Sequence, residues 1–88
     1  MSMDKTFVVI SATTNCGGEL EIRKESGIVN EQQANEIFTL KKNEFKSIAN
    51  EQNEQAGTDV YAVEIDTPSE FTIYDYGTDI MSVKIISL

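Results

Sequence analysis

Lys42-Asn43-Glu44-Phe45-Lys46-Ser47-Ile48-Ala49-Asn50-Glu51-Gln52-Asn53-Glu54-Gln55-Ala56-Gly57 is the stretch that decides the fold. Phe45, Ile48, Ala49, Gln52 and Ala56 recur in three- and four-residue steps, so the spacing predicts a helix over 42–55, and Gly57 is placed as its C-terminal stop. A helix with one apolar stripe must dock on something. The C-terminal third of the chain supplies it: Asp59 to Asp66, Phe71 to Asp75 and Ile80 to Ile86 carry strand patterns, separated by Thr67-Pro68-Ser69 and by Tyr76-Gly77-Thr78-Asp79, as in a meander.

Upstream, Thr6-Phe7-Val8-Val9-Ile10 is apolar without alternation, the pattern of a central strand covered on both faces. Asn15-Cys16-Gly17-Gly18 reads as a turn, and Glu19-Leu20-Glu21-Ile22-Arg23 alternates like a strand with one wet face, so the two segments form a hairpin. Residues 26–36 read as an exposed loop or as a short helical turn with Asn30 and Gln33 as N-cap and reciprocal partner. Glu36-Ile37-Phe38-Thr39-Leu40 suits a short strand, although Ala34, Ile37 and Phe38 also suit a helix face. The fold class is therefore α+β: residues 1–88 as one domain, a small mainly antiparallel sheet of about five strands, and one amphipathic helix packed on one face. The stripe of Phe45, Ile48 and Ala49 is expected to meet Phe7, Val9, Leu20, Ile22, Val63, Ile65, Phe71 and Ile73.

Charge is distributed unevenly. From Glu51 to Leu88 eight acids face the single base Lys84, whereas the first 50 residues hold seven acids and six bases; the whole chain carries −8. Such a field repels nucleic acid and anionic membrane and attracts basic surfaces. Strand alternation puts Tyr61, Val63 and Ile65 inward, and Phe71 and Ile73 with them. Glu64, Asp66, Glu70, Tyr74 and Tyr76 then share an exposed sheet surface, with Asp75 and Asp79 at its rim. These seven are the candidate partner-binding residues, because tyrosines are enriched at interface cores and acids steer basic surfaces into contact. The plainer reading is that the acids solvate an outer face. The last strand has two possible inward sets, Met81, Val83 and Ile85 or Ile80, Ile86 and Leu88.

Lys41, Lys42 and Lys46 crowd the start of the predicted helix and Glu51 and Glu54 its end, against the helix dipole. The lysines serve either as an anion site or, more simply, as partners for the chain's own acids.

Catalytic and metal chemistry find little to use. With no histidine and no tryptophan, His-based triads and His-ligated metals are excluded. Cys16 has no base and no resolving thiol, and a lone cysteine suits a reducing, cytoplasmic setting. Asp75-Tyr76-Gly77-Thr78-Asp79 lacks the ligand run of an EF-hand. Neither a signal peptide nor a membrane span is expected from the four-residue apolar run near the start. No cofactor, metal or direct nucleic-acid ligand is expected, and no enzymatic activity.

In size, acidity and lack of catalytic residues the chain is similar to small phage-encoded inhibitors such as anti-CRISPR proteins and the uracil-DNA glycosylase inhibitor. That resemblance is one of class, carried by no motif. It implies a nucleic-acid-mimicking inhibitor or modulator of a basic partner such as a nuclease or polymerase. The alternative is an assembly subunit that self-associates, as a homodimer, through an exposed strand edge or through Val83-Lys84-Ile85-Ile86-Ser87-Leu88.

Overall fold

The computed structural model describes residues 5–14, 18–58, 60–74 and 80–88, and the backbone of Asp75. Five strands and one helix run in the order β1 (Phe7–Thr14), β2 (Leu20–Lys24), α1 (Glu31–Ala56), β3 (Tyr61–Thr67), β4 (Glu70–Asp75) and β5 (Ile80–Ser87). They form an antiparallel sheet in the order β2-β1-β5-β4-β3 with α1 laid across one face. The α+β class, the β1–β2 hairpin and the β3-β4-β5 meander are as the sequence predicts.

The helix is longer than its pattern suggests. It runs for 26 residues, about 39 Å at the usual rise, and takes in residues 31–40, where the helical readings hold over the loop and the short strand, while residues 26–30 stay outside it. The reason is local. Asn30 Oδ1 accepts from the Gln33 amide at 2.8 Å while Gln33 Oε1 accepts from the Asn30 amide at 3.3 Å, a capping box that starts the helix eleven residues earlier. From there Ala34, Phe38, Phe45 and Ala49 keep one buried line. Ile37 and Thr39 favour strands intrinsically, but the period of the apolar positions wins over propensity. Gly57 ends the helix in the left-handed conformation at φ 69°, its N–H donating to the Glu54 carbonyl. An L side chain would be strained there.

Directly behind the cap, Asn53 fastens α1 to β3. Its Oδ1 accepts from the Val60 and Tyr61 amides at 2.7 and 2.9 Å, and its Nδ2 donates to the Tyr61 carbonyl at 3.4 Å.

The register fixes which side chains face the helix. Val9 lies across from Ile85, Ser11 from Val83, Val83 from Phe71 and Met81 from Ile73, so the inward set of β5 is Met81, Val83 and Ile85. Val9, Phe71, Ile73 and Val83 join Ala34, Phe38, Phe45 and Ala49 in the buried core, flanked by Phe7, Val29, Ile37, Tyr61, Met81 and Ile85. Three expectations are corrected. Val63, although paired with Ile73, is exposed on edge strand β3, and Ile48 of the helix stripe is exposed too, so neither joins the core. Leu20 and Ile22 pair with Thr14 and Ala12 on the opposite face, so neither meets the helix. In β3 the register slips between Val63 and Ile65. This bulge inserts Glu64 without a paired residue and turns Ile65 to the far face and Asp66 to the helix face. Pure alternation cannot foresee that reversal.

β1 is interior as expected, yet α1 covers only one of its faces. β5 lies in the middle of the sheet with β1 and β4 on either side. The outer strands of the sheet are β2 and β3, while the pairing of β5 with β4 ends at Lys84.

Replacing Phe45, only 2% exposed, by Ala is expected to lower unfolding stability by about 3 kcal/mol in urea titration. Asn53→Ala, which strips the shared acceptor from the Val60 and Tyr61 amides, is expected to cost about 1–3 kcal/mol by the same measurement. A negligible loss in either case means that the corresponding contact does not hold the helix to the sheet.

Candidate protein-binding face

Of the seven predicted site residues, four are described with their side chains, and they do not converge on one surface. Asp66, turned by the bulge, bonds across to α1, its Oδ1 accepting from Lys42 Nζ at 2.6 Å. Glu70 does lie on the face away from the helix, but beside Lys84 at 3.7 Å. Tyr74 shares that face and is about one-third exposed. Glu64 is exposed at the bulge. Tyr76 and Asp79 lie outside the described residues, as does the side chain of Asp75. The acidic surface read from the sequence is thus divided between two faces, and two of its acids have bases of the same chain beside them.

The lysine cluster is occupied in the same way. Lys41 pairs with Glu44 at 3.1 Å and Glu25 at 3.7 Å, and Glu25 in turn accepts from the buried Ser11 hydroxyl at 2.6 Å. Lys42 and Lys46 sit over the Phe71 ring at 5.3 and 5.7 Å, and Lys41 over Phe45 at 5.2 Å, so their charges lean on the rim of the core. With the helix beginning at Glu31, these lysines are mid-helix, and the expected conflict with the dipole disappears at that end. It persists at the other, where Glu51 and Glu54 are followed by no base in the last turn. The Lys42 hydrogen bond, aided by the charges of Lys42 and Lys46, holds the Asp66 carboxyl below its ordinary pKa.

A different surface stands out. The pairing registers place the side chains of the face opposite α1 in lateral rows. One row is Lys24, Ile10, Lys84, Glu70 and Thr67; the next is Ile22, Ala12, Ser82, Thr72 and Ile65; the third is Leu20, Thr14, Ile80, Tyr74 and Ala62. Val8 and Ile86 form a shorter row beyond the first. Among the described residues no element packs on this face. Ile22 is 68% exposed and Leu20 55%, while Val8, Ile10, Ile65, Ile80 and Ile86 are half-buried. In its centre Ala12, Ser82 and Thr72 are small, and the Thr72 and Ser82 hydroxyls bond each other at 2.8 Å. A shallow depression of about 140 Å³ lies between Ile10, Ala12, Ile22, Ser82 and Lys84.

Sequence reasoning misses this surface because an unalternating run such as Phe7–Ile10 reads as a strand covered on both faces. The signal is nonetheless present: apolar residues at both parities of β1 and β5, with one helix available to cover them.

Among the described residues no group of three or more His, Cys, Asp or Glu side chains is placed to hold a metal ion. Among the described residues no helix is long and apolar enough to cross a membrane. No protein-family model, curated protein or solved structure matches the chain.

The Asp66 pair predicts a pH effect with a definite sign. A carboxylate whose folded pKa is depressed adds stability that is fully present above the unfolded value, about 3.9, and is lost as pH falls through the lower folded value. Urea midpoints measured on descent below about pH 5 should therefore fall more steeply for the unchanged protein than for Asp66→Asn. Parallel curves exclude a contribution from this pair.

Proposed function

We propose that the chain is a small non-enzymatic protein-binding module whose contact surface is the sheet face left bare by α1. The observation that carries this reading is the set of exposed and half-buried aliphatic side chains on that face, with Ile22 and Leu20 most open. A lone exposed aliphatic needs no explanation, but a contiguous apolar sheet face on a soluble domain is a hallmark of interaction surfaces. Its make-up fits: an apolar field with a tyrosine, small residues at the centre, and Lys24, Lys84 and Glu70 as a polar row.

A second reading is favoured by the far end of the helix. There Glu51 and Glu54 add to the negative end of the dipole with no base in the last turn, and this end suits the basic groove of a nuclease, polymerase or other nucleic-acid-handling protein. The module is then an inhibitor or modulator that docks charge-first. The apolar face is preferred because Asp66 and Glu70 already lie against Lys42 and Lys84, which leaves less uncompensated acid than composition suggests.

The two readings separate in one affinity experiment. Tagged protein, an Ile22→Lys variant and a Glu51→Lys/Glu54→Lys variant are each incubated with bacterial lysate to which untagged copies of the same chain are added, and washed at low and high salt. The preferred reading expects the retained protein to survive high salt and to be lost with Ile22→Lys at unchanged thermal stability, since Ile22 contributes little to the core. Loss with the glutamate variant and at high salt favours the basic partner instead. Retention unaffected by Ile22→Lys removes the bare face from consideration.

A further inference from the structure

We propose, resting on the protein-binding reading above, that the occupant of the bare sheet face is a second copy of this chain, stacked sheet on sheet about a two-fold axis parallel to the strands and lying between β1 and β5. Three observations carry it.

The first is the strand pattern. β1 and β5 are apolar at both parities: Phe7, Val9, Met81, Val83 and Ile85 toward α1, and Val8, Ile10, Ile80 and Ile86 away from it. Strands of a one-sided sheet alternate with polar residues on the wet face; strands covered twice do not. An identical sheet supplies the second cover without any further chain.

The second is area. Four overlapping strands at about 4.8 Å spacing and about 20 Å length make a plane near 400 Å² per copy, and with side-chain relief two copies remove roughly 1,200 Å², above the roughly 1,000 Å² that a specific interface needs.

The third is charge, and it selects the axis. A two-fold axis along the strands between β1 and β5 exchanges β1 with β5 and β2 with β4, and keeps each lateral row facing itself. Lys24 then stands across from the second copy's Glu70, Leu20 from its Tyr74, Ile22 from its Thr72, Ala12 from its Ser82 and Val8 from its Ile86. Small faces small at the centre and each end of the charged row meets its opposite, while Lys84, across from the second copy's Ile10, keeps Glu70 of its own chain beside it. A two-fold axis across the strands instead lays Lys24 and Glu70 on the apolar row of Leu20, Ile80 and Tyr74, which strands charges against aliphatic surface. The interface is isologous, so the Lys24–Glu70 contact occurs twice.

Sedimentation over a concentration series tests it with the unchanged chain, Lys24→Glu and Glu70→Lys. The unchanged chain is expected to dimerise. Each variant sets like charges against each other twice, and its dimer dissociation constant is expected to rise at least about tenfold. Mixing the two variants gives a heterodimer in which both contacts again join opposite charges, one with the signs reversed and the other as in the unchanged chain, so the mixture is expected to regain dimer mass. Circular dichroism checks folding, and Glu70→Gln, which removes the charge without placing a lysine beside Lys84, is expected to give an intermediate loss. A chain that stays monomeric throughout, variants that dimerise undiminished, or a mixture no better than its components overturns the proposal. If the chain is monomeric but a lysate protein is still lost with Ile22→Lys, the second copy is the wrong occupant and the binding face stands. If nothing is lost with Ile22→Lys, both readings fall together.

Discussion

A single helix can cover one face of a five-stranded sheet and no more, and the other features of this molecule depend on that limit. α1 touches β1, β3, β4 and β5 but not β2. It buries Val9, Phe71, Ile73 and Val83 under Phe38 and Phe45. Among the described residues no element covers Leu20 and Ile22, which the hairpin register turns away from the helix. The core is accordingly small for the length of chain, and a large side chain such as Phe45 carries a correspondingly large share of a marginal stability.

Charge in this chain acts mainly inward. Glu25 collects the Ser11 hydroxyl and the Lys41 ammonium, tying β1, the segment after β2 and the helix together at one point. Lys42 spans from the helix to Asp66 while leaning on Phe71, so one side chain shields the core edge and anchors β3. These pairs are half-exposed and individually worth little. Their effect is geometric: they set where the helix crosses the sheet. A net charge of −8 is therefore a poor guide to where uncompensated acid lies.

The parts of the fold legible in the sequence are those set by local chemistry. Gly57 marks a helix end because a left-handed residue is needed there, Asn30 and Gln33 mark its start, and the Pro68 region separates β3 from β4; most of the turn expected at Asn15 to Gly18 lies outside the described residues. The extent of the helix is less legible because Glu36 to Leu40 carries strand-like residues on a helical period. The candidate site is less legible still. Its expected acids depend on unbroken alternation through β3, and one extra residue at Glu64 reverses the faces of Ile65 and Asp66. No composition rule announces a bulge; it is fixed by how β3 lies against β4, a pairing of separate segments.

The centre of the bare face bears on how that surface can be used. Thr72 is 3% exposed with α1 on the other side of the sheet, and its hydroxyl already has the Ser82 hydroxyl as partner. A polar group with its hydrogen bond made within the face can be covered without leaving an unmet donor or acceptor, and the desolvation that usually opposes burying hydroxyls is largely avoided. Ala12, Ser82 and Thr72 are also short, so an opposing layer can approach closely between the taller Ile22 and Ile65. An apolar rim around a small, internally satisfied centre is suited to dry contact, whereas a face meant to stay in water gains nothing from pairing its hydroxyls with each other.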